Sequence, residues 1–275
     1  MRITGPPPIC AAAWRINPLD LNPYYETTRA EGEYLLLHYG ELPRTVGASV
    51  TTARSSFPAR CVSQCLETRR LPPSARALDL GCAVGRSTFE LARHCAEVVG
   101  IDYSNRFITL ARRLQEQGSL PFQTVEEGEL TQPRYAVVPS GIDRNHVRFQ
   151  HGDAMNLPAD LGTFDVVLMA NLIDRLGHPR RCLAQLPRLV NRGGQLIITS
   201  PYTWLKDYTP RRQWLGGFVR EGRPVKTLDT LRQILSPHFR LVKRRDLPFL
   251  IREHGRKFQL GIAEASIWRR NRTAS

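Results

Sequence analysis

From about residue 75 onward, short apolar runs alternate with stretches in which apolar residues recur every three or four positions. The runs RALDLG, VVGIDYS, VRFQHGD, FDVVLMAN and GGQLIITSPY are too short for helices and rich in Val, Ile, Leu and Phe, so each predicts a strand. After the first, Phe89 and Leu91-Ala92 share a helical face; after the second, Phe107, Leu110-Ala111 and Leu114 do. PRRCLAQLPRLV predicts an irregular helix, and TLDTLRQILSP a regular one with Leu228, Leu231 and Leu235 turned inward. Two more strands are expected near FRLVKRRDLPFLI and FQLGIAEASIW. Strands this apolar, alternating with helices, predict an α/β fold whose parallel sheet is covered on both faces.

The chain before residue 75 reads differently. Residues 1–22 are Pro-rich and irregular. NPYYETTRAEGEYLLLHYG predicts a helix with Asn22 as N-cap, Pro23 in the first helical position and Gly40 at the end. A second helix is expected over about Pro58–Arg69, stopped by Pro72-Pro73. Residues 118–146, rich in Gly, Pro and acids, are too long for a plain connection and predict an insertion of the kind that forms lids or binding loops. The expected organisation is an N-terminal segment and helical cap (1–72) followed by a main domain (73–275) carrying that insertion.

Composition narrows the classes. With 41% hydrophobic and 23% charged residues, wholesale disorder and fibrous folds are excluded. No apolar stretch is long enough to span a bilayer and the N-terminus lacks the pattern of a secretory signal, so a soluble, cytoplasmic protein is expected. The formal net charge of +14 raises nucleic acid as a partner. Of the 39 basic residues, however, only Lys206, Lys226, Lys243 and Lys257 are lysines, and the arginines are spread over the chain as singles and pairs rather than in a long run. A compositional bias, with arginine stems covering helix surfaces, accounts for them, and no nucleic-acid partner is expected. The six cysteines, Cys10, Cys61, Cys65, Cys82, Cys95 and Cys182, form no metal-finger spacing, so free thiols and no metal are expected.

The chemistry lies at the strand ends. Asp79-Leu80-Gly81-Cys82-Ala83-Val84-Gly85 is a strand-to-helix turn with glycines spaced G-x-x-x-G, not the G-x-G-x-x-G of a dinucleotide site. An acid this close repels a pyrophosphate and attracts a ligand with a cationic amino-acid end; S-adenosylmethionine has no phosphate and carries an ammonium and a sulfonium. Asp102 ends the second strand, 23 residues after Asp79, where a carboxylate can accept from both ribose hydroxyls. Asp153, in HGDAMNL, ends the third, where it can accept from an adenine amino group. One acid in such a place is ordinarily a helix cap; three at consecutive strand ends predict a cofactor site. The expected cofactor-binding set is Asp79, Gly81, Cys82, Ala83, Gly85, Asp102, Tyr103, Asp153, Ala154 and Asn171.

Over roughly residues 75–270 the sequence resembles the class I S-adenosylmethionine-dependent methyltransferases. More closely, it resembles the mercaptohistidine N-methyltransferase family of ovothiol biosynthesis, whose module is usually the C-terminal domain of a larger sulfoxide synthase. The matches run through YYETTRAEGEYLLLHYG, SFPARCVSQCLE, ALDLGCAVGRSTFELAR, GIDYSNRFI, EEGEL, FQHGDAMNLP, FDVVLMANLIDRL, RLVNRGGQLIITSPYTWL and YTPRRQWLGG. The resemblance implies a Rossmann-like, doubly wound, mostly parallel seven-stranded sheet with an N-terminal helical cap. It implies S-adenosylmethionine as cofactor, thiohistidine as small-molecule substrate and methylation of a side-chain imidazole nitrogen as the reaction. Met155 and Asp174 depart from the family pattern, which carries cysteines there; the change at Asp174, near the acceptor side, is expected either to alter substrate handling or to be tolerated. No synthase portion accompanies the 275 residues, so a free-standing enzyme is expected, working either alone or with a separate sulfoxide synthase as partner.

In-line methyl transfer is largely a matter of alignment. The acceptor presents a thiolate beside its nitrogens, and the site must aim nitrogen, not the softer sulfur, at the methyl. Asn171, after the fourth strand, is the first candidate to face the reacting atoms, with Tyr25 beside it. A zwitterionic substrate also needs a cation or hydroxyl for its carboxylate and an acid or carbonyl for its amine. Candidates are Tyr24, Tyr25, Arg29, Arg175, Tyr202, Trp204, Glu253 and His254, with Trp204 and Trp214 read as core or lid aromatics at least as readily. A nucleic-acid amino-methyltransferase usually shows Pro-Pro-aromatic after this Asn, whereas the text here is Asn171-Leu172-Ile173.

Overall fold

The computed structural model describes residues 23–40 and 56–272. Within them the first regular element is a 3-10 turn, Pro23–Glu26, followed by α1 (Thr28–Tyr39). The N-cap of α1 is Thr27, whose side chain accepts from Ala30 N, rather than Asn22, which lies outside the described residues. Gly40 closes α1 as the pattern predicts. The second helix, α2 (Phe57–Ser63), is shorter than expected; a separate 3-10 turn, Thr68–Arg70, precedes the prolines.

The alternation then runs β1 (Arg76–Leu80), α3 (Arg86–Leu91), β2 (Glu97–Asp102) and α4 (Asn105–Gln117). Residues 118–146 fold mainly as an antiparallel hairpin, β3 (Ser119–Glu127) and β4 (Leu130–Val137), that turns at Gly128 with φ +56°. There follow β5 (Val147–His151), β6 (Phe164–Ala170), the short helices α5 (Pro179–Leu183) and α6 (Leu186–Leu189), and β7 (Val190–Ser200). A small hairpin with no counterpart in the hydrophobic pattern, β8 (Phe218–Arg220) and β9 (Arg223–Val225), precedes α7 (Thr227–Leu235), and the chain closes with β10 (Phe239–His254) and β11 (Lys257–Arg270).

The main sheet has seven strands in the order β10-β11-β7-β6-β1-β2-β5. All neighbours pair in parallel except β11, which is antiparallel to both β7 and β10. This is the Rossmann-like, mostly parallel sheet expected. Side chains alternate across it. Ala77, Val98, Val166 and Ile197 pack under α1, α2, α3 and α4, while Leu78, Leu80, Val99 and Val167 pack against α5, α6 and α7. The strand order reverses between β1 and β6, and a ligand crevice is expected at the carboxyl ends there. Among the described residues no helix is long and apolar enough to cross a membrane. The described cysteines are buried free thiols; Cys10 lies outside the described residues.

Candidate active site

At that reversal lies a cleft. Its floor comes from the ends of β1, β2 and β5 and the turns after them: Gly81, Ala83, Ile101, Asp102, Tyr103, Asp153 and Ala154. The opposite wall comes from outside the alternating core: Tyr25, Tyr34, Leu37 and His38 on and before α1, Phe57 and Pro58 on α2, Phe249 and Ile251 on β10. Asn171, Arg175 and Tyr208 join the two.

Asp102 is fixed before any ligand arrives. Its Oδ2 accepts from Ala83 N at 2.8 Å and its Oδ1 from Ser104 N at 2.9 Å. Burial raises its carboxyl above the ordinary value, and those two N–H groups oppose the rise. Each oxygen keeps a lone pair for a hydroxyl. Asp153 is also buried yet lines the cleft, and its Oδ1 accepts from Met155 N at 2.7 Å. Met155 lines the cleft too, and its sulfur accepts from His178 N.

Asp79 takes a different place from Asp102 and Asp153. Strand alternation turns it with Ala77 toward α3, where Ser87 Oγ and Thr88 Oγ1 both donate to its Oδ2 at 2.7 Å. It is fully buried beneath the turn and does not line the cleft; its Oδ1 has no partner. Burial pushes its pKa up to about 6, against the two hydroxyl bonds and with a further rise from Asp102. Cys82 and Gly85 likewise shape the turn without lining the cleft. Gly85 has φ +85°, and a Cβ there would sit 2.5 Å from Phe149. Gly81 has φ +72°, a conformation strained for any side chain, and a Cβ there would also press on the Leu172 side chain at 2.8 Å.

Asn171 occupies the left-handed region at φ +51°. Its N–H donates to Thr199 O at 2.9 Å and reaches Thr199 Oγ1 at 3.1 Å, while that hydroxyl donates to Asn171 Oδ1 at 3.0 Å. The amide is thereby clamped to β7, and its Nδ2 has no described partner. Tyr25 packs edge-on to Tyr34 and Phe107 and lies 6.0 Å, centroid to centroid, from Tyr208; burial raises its phenol pKa far above the ordinary value. The Arg175 guanidinium sits 4.7 Å from the Tyr208 ring centroid, and its Nη1 donates to Asp174 Oδ2 at 2.9 Å and Thr203 O at 3.0 Å.

Asp174 is wholly buried and does not line the cleft. Ser200 Oγ and Thr203 N donate to it at 3.0 Å, so its effect on the cleft passes through Arg175. Other expected substrate contacts stand elsewhere for clear reasons. Tyr24 donates to Glu33, and Arg29 is an exposed partner of Glu33 and Glu253 on the outer side of α1. Tyr202 donates to Glu264, and Trp204 donates to Thr227 Oγ1 and stacks on Trp214, as a core aromatic. Glu253 pairs with Lys257 near the β10–β11 turn, where His254 Nδ1 accepts from Arg256 N. None of these lines the cleft. The residues that sequence reasoning missed are Tyr34, His38, Phe57, Asp207, Tyr208 and Phe249. The regular spacing of Tyr34, Leu37 and His38 along α1 was the available signal; nothing local marks Phe249.

Residues 78–198 match the family model described as a methyltransferase domain. That stretch is similar to a methyltransferase domain, and the sheet that carries it has the Rossmann-like topology of the class I S-adenosylmethionine-dependent methyltransferases. Among its relatives, the demethylmenaquinone methyltransferase of Clavibacter sepedonicus is 32% identical over 133 residues, covering 48% of this chain and 44% of the relative. The norajmaline N-methyltransferase of Rauvolfia serpentina is 27% identical over 188 residues, covering 64% of this chain and 56% of the relative. The matches thus span about half the length of these curated relatives. A solved structure described as converting a disulfide bond into a thioacetal group during echinomycin biosynthesis superposes with a TM-score of 0.50 at 16% identity, covering 79% of this chain and 82% of that one; the likeness is of fold. The methyltransferase domain has the parts its cofactor requires: a pinned Asp102, a turn with glycines at positive φ at both ends, and a buried carboxylate oxygen on Asp79 left without a donor.

Proposed function

We propose that the protein methylates an imidazole nitrogen of thiohistidine with S-adenosylmethionine. The observation that carries the reading is the joining of two walls in one cleft: Asp102 and Asp153 on the sheet edge, and an aromatic wall from α1 and β10 opposite, with Asn171 between them. The sheet edge fits the cofactor, Asp102 holding the ribose, Asp153 and Ala154 the adenine, and the Gly81–Ala83 turn the amino-acid end above Asp79. When bound, S-adenosylmethionine would supply an electrophilic methyl on a cationic sulfur that leaves as a neutral thioether.

The acceptor wall supports a small, flat, amino-acid-like substrate. Tyr25, Tyr34, Phe57 and Phe249 provide flat apolar surface, and Arg175 and Asp207 provide one cation and one anion. A thiolate on the acceptor offsets the charge gained at the attacking nitrogen, so no strong general base is required. Absence of Pro after Asn171 and the enclosed wall both favour a small molecule over a nucleic-acid strand. The similarity to the norajmaline N-methyltransferase agrees with nitrogen as the methyl acceptor.

The test is product identification by mass spectrometry with thiohistidine and methyl-labelled cofactor. N-methyl thiohistidine is the expected main product, with histidine a much poorer substrate because groups built to meet a thiolate are left unpaired. Equal turnover of histidine and thiohistidine would remove the assignment. Asn171→Ala should lower kcat at least tenfold with little change in S-adenosylhomocysteine affinity, because alignment acts mainly in the transition state. An unchanged kcat would remove Asn171 from the reacting centre.

A further inference from the structure

One N–H donor in the acceptor wall meets no acceptor among the described residues. His38 stands on the last turn of α1, is only 5% exposed and lines the cleft. Arg86 N approaches its Nδ1 at 3.4 Å, so Nδ1 is the accepting nitrogen and the ring proton is assigned to Nε2. Burial and the neighbouring Arg86 guanidinium push the ring's pKa down to about 3. The imidazole is therefore neutral at any working pH. Its Nε2–H makes no hydrogen bond to a described residue, nor is it among the sealed, unpartnered buried atoms, which are Ser56 Oγ, Asp79 Oδ1, Glu126 Oε1 and Arg252 Nη1. Such a donor in a cleft wall is kept for a ligand.

We infer that His38 Nε2–H receives the anionic edge of the methyl acceptor and so fixes which of its atoms meets the methyl group. The inference rests on the thiohistidine reading, in which that edge is the thiolate. With sulfur held on His38, a ring nitrogen is the nucleophile left to turn toward Asn171 and the cofactor edge. Neutrality suits the task. A full cation at sulfur would draw electron density from the imidazole and blunt its nitrogen, whereas a neutral N–H anchors the thiolate with a weaker pull. The same features exclude His38 as a general base: its free nitrogen already carries a proton, and the other faces Arg86. His38 is a positioning residue and takes no proton.

The experiment compares the wild type with His38→Phe, which fills the space without a donor, and His38→Asn, which restores a neutral N–H. Measured quantities are KM and kcat for thiohistidine, the ratio of N- to S-methyl product, and S-adenosylhomocysteine affinity by calorimetry. His38→Phe should keep that affinity within about twofold, raise KM at least tenfold, and release S-methyl product; His38→Asn should recover part of both losses. In parallel, the Nε2 proton of His38 in ¹⁵N-histidine-labelled wild type should shift when thiohistidine is added to the S-adenosylhomocysteine complex. An unchanged KM and product ratio in His38→Phe, with wild-type turnover intact, overturns the donor role alone. If His38→Phe fails to bind S-adenosylhomocysteine, the labelled wild type decides: no shift of the Nε2 resonance overturns the role. Absence of thiohistidine turnover in the wild type overturns the substrate reading and this role with it.

Discussion

The carboxylates at consecutive strand ends look alike in sequence and divide the work once folded. Asp102 meets the cleft directly, already held by Ala83 N and Ser104 N. Asp102→Ala should weaken S-adenosylhomocysteine binding by about 1.5–3 kcal/mol, the scale of lost charged-group hydrogen bonds, as read by calorimetry. Asp79 acts from beneath. Its carboxyl rises from 3.8 to about 6 on burial, so the folded state holds a proton that the unfolded state has lost between those values. Stability from this group is therefore present below pH 4 and is lost as pH climbs through about 6, leaving a buried, partly unsatisfied anion at neutral pH. Two outcomes follow. Asp79→Asn should unfold at pH 7.5 no lower in temperature than the wild type, seen by calorimetric scanning. A cation bound above it would draw Asp79 back to the ionised form, so cofactor binding near pH 6 should release protons, read as a buffer-dependent binding enthalpy that Asp79→Asn abolishes.

Among the elements, the strands of the main sheet were legible because strongly apolar runs bounded by Gly and Asp leave few alternatives. Helix starts were less so: Asn22-Pro23 imitates a start, but the chain spends Pro23–Glu26 in a 3-10 turn before Thr27 caps α1. The β3–β4 hairpin was hidden because its strands are half polar, though Gly128 in Glu-Gly-Glu marked its turn. That hairpin is a brace. Gln123 O lies 2.6 Å from where a Cβ on Gly32 would stand, and Glu126 pairs with the nearly buried Arg252 side chain of β10 at 2.6 Å. Glu126→Ala would remove that guanidinium's carboxylate and should cost about 1 kcal/mol in urea unfolding, because solvent screens the partly exposed pair. It should also raise KM for the acceptor more than it changes cofactor affinity, because α1 and β10 carry the acceptor wall and not the cofactor edge.

Over the whole molecule, the cofactor edge was readable and the acceptor wall was not, and topology explains the difference. The edge is built from turns that follow consecutive strands, so sequence order is site order. Opposite it, His38, Phe57 and Phe249 come together only because α1, α2 and β10 pack on one face of the sheet. The charge follows the same logic: many arginines of the net +14 pair with local carboxylates, such as Arg76 with Glu97 and Arg86 with Glu90. Binding to a single-stranded oligonucleotide should accordingly be weak and fall steeply with salt in fluorescence anisotropy. Tight, sequence-selective binding at physiological salt would point to a different acceptor.

Ala83, Asn171 and Tyr202 hold positive φ without being glycine, and they stand just beyond the carboxyl ends of β1, β6 and β7 respectively. For Ala83 and Tyr202 this costs roughly 1 kcal/mol that a glycine would not; Asn171 enters the left-handed region more readily. The sheet's business end is thus a spring held under load by the fold around it. Glycine there would relieve the strain but loosen the unfolded chain by a similar amount, so its main effect would be to slacken the turns that aim Asn171 and shape the cofactor bed.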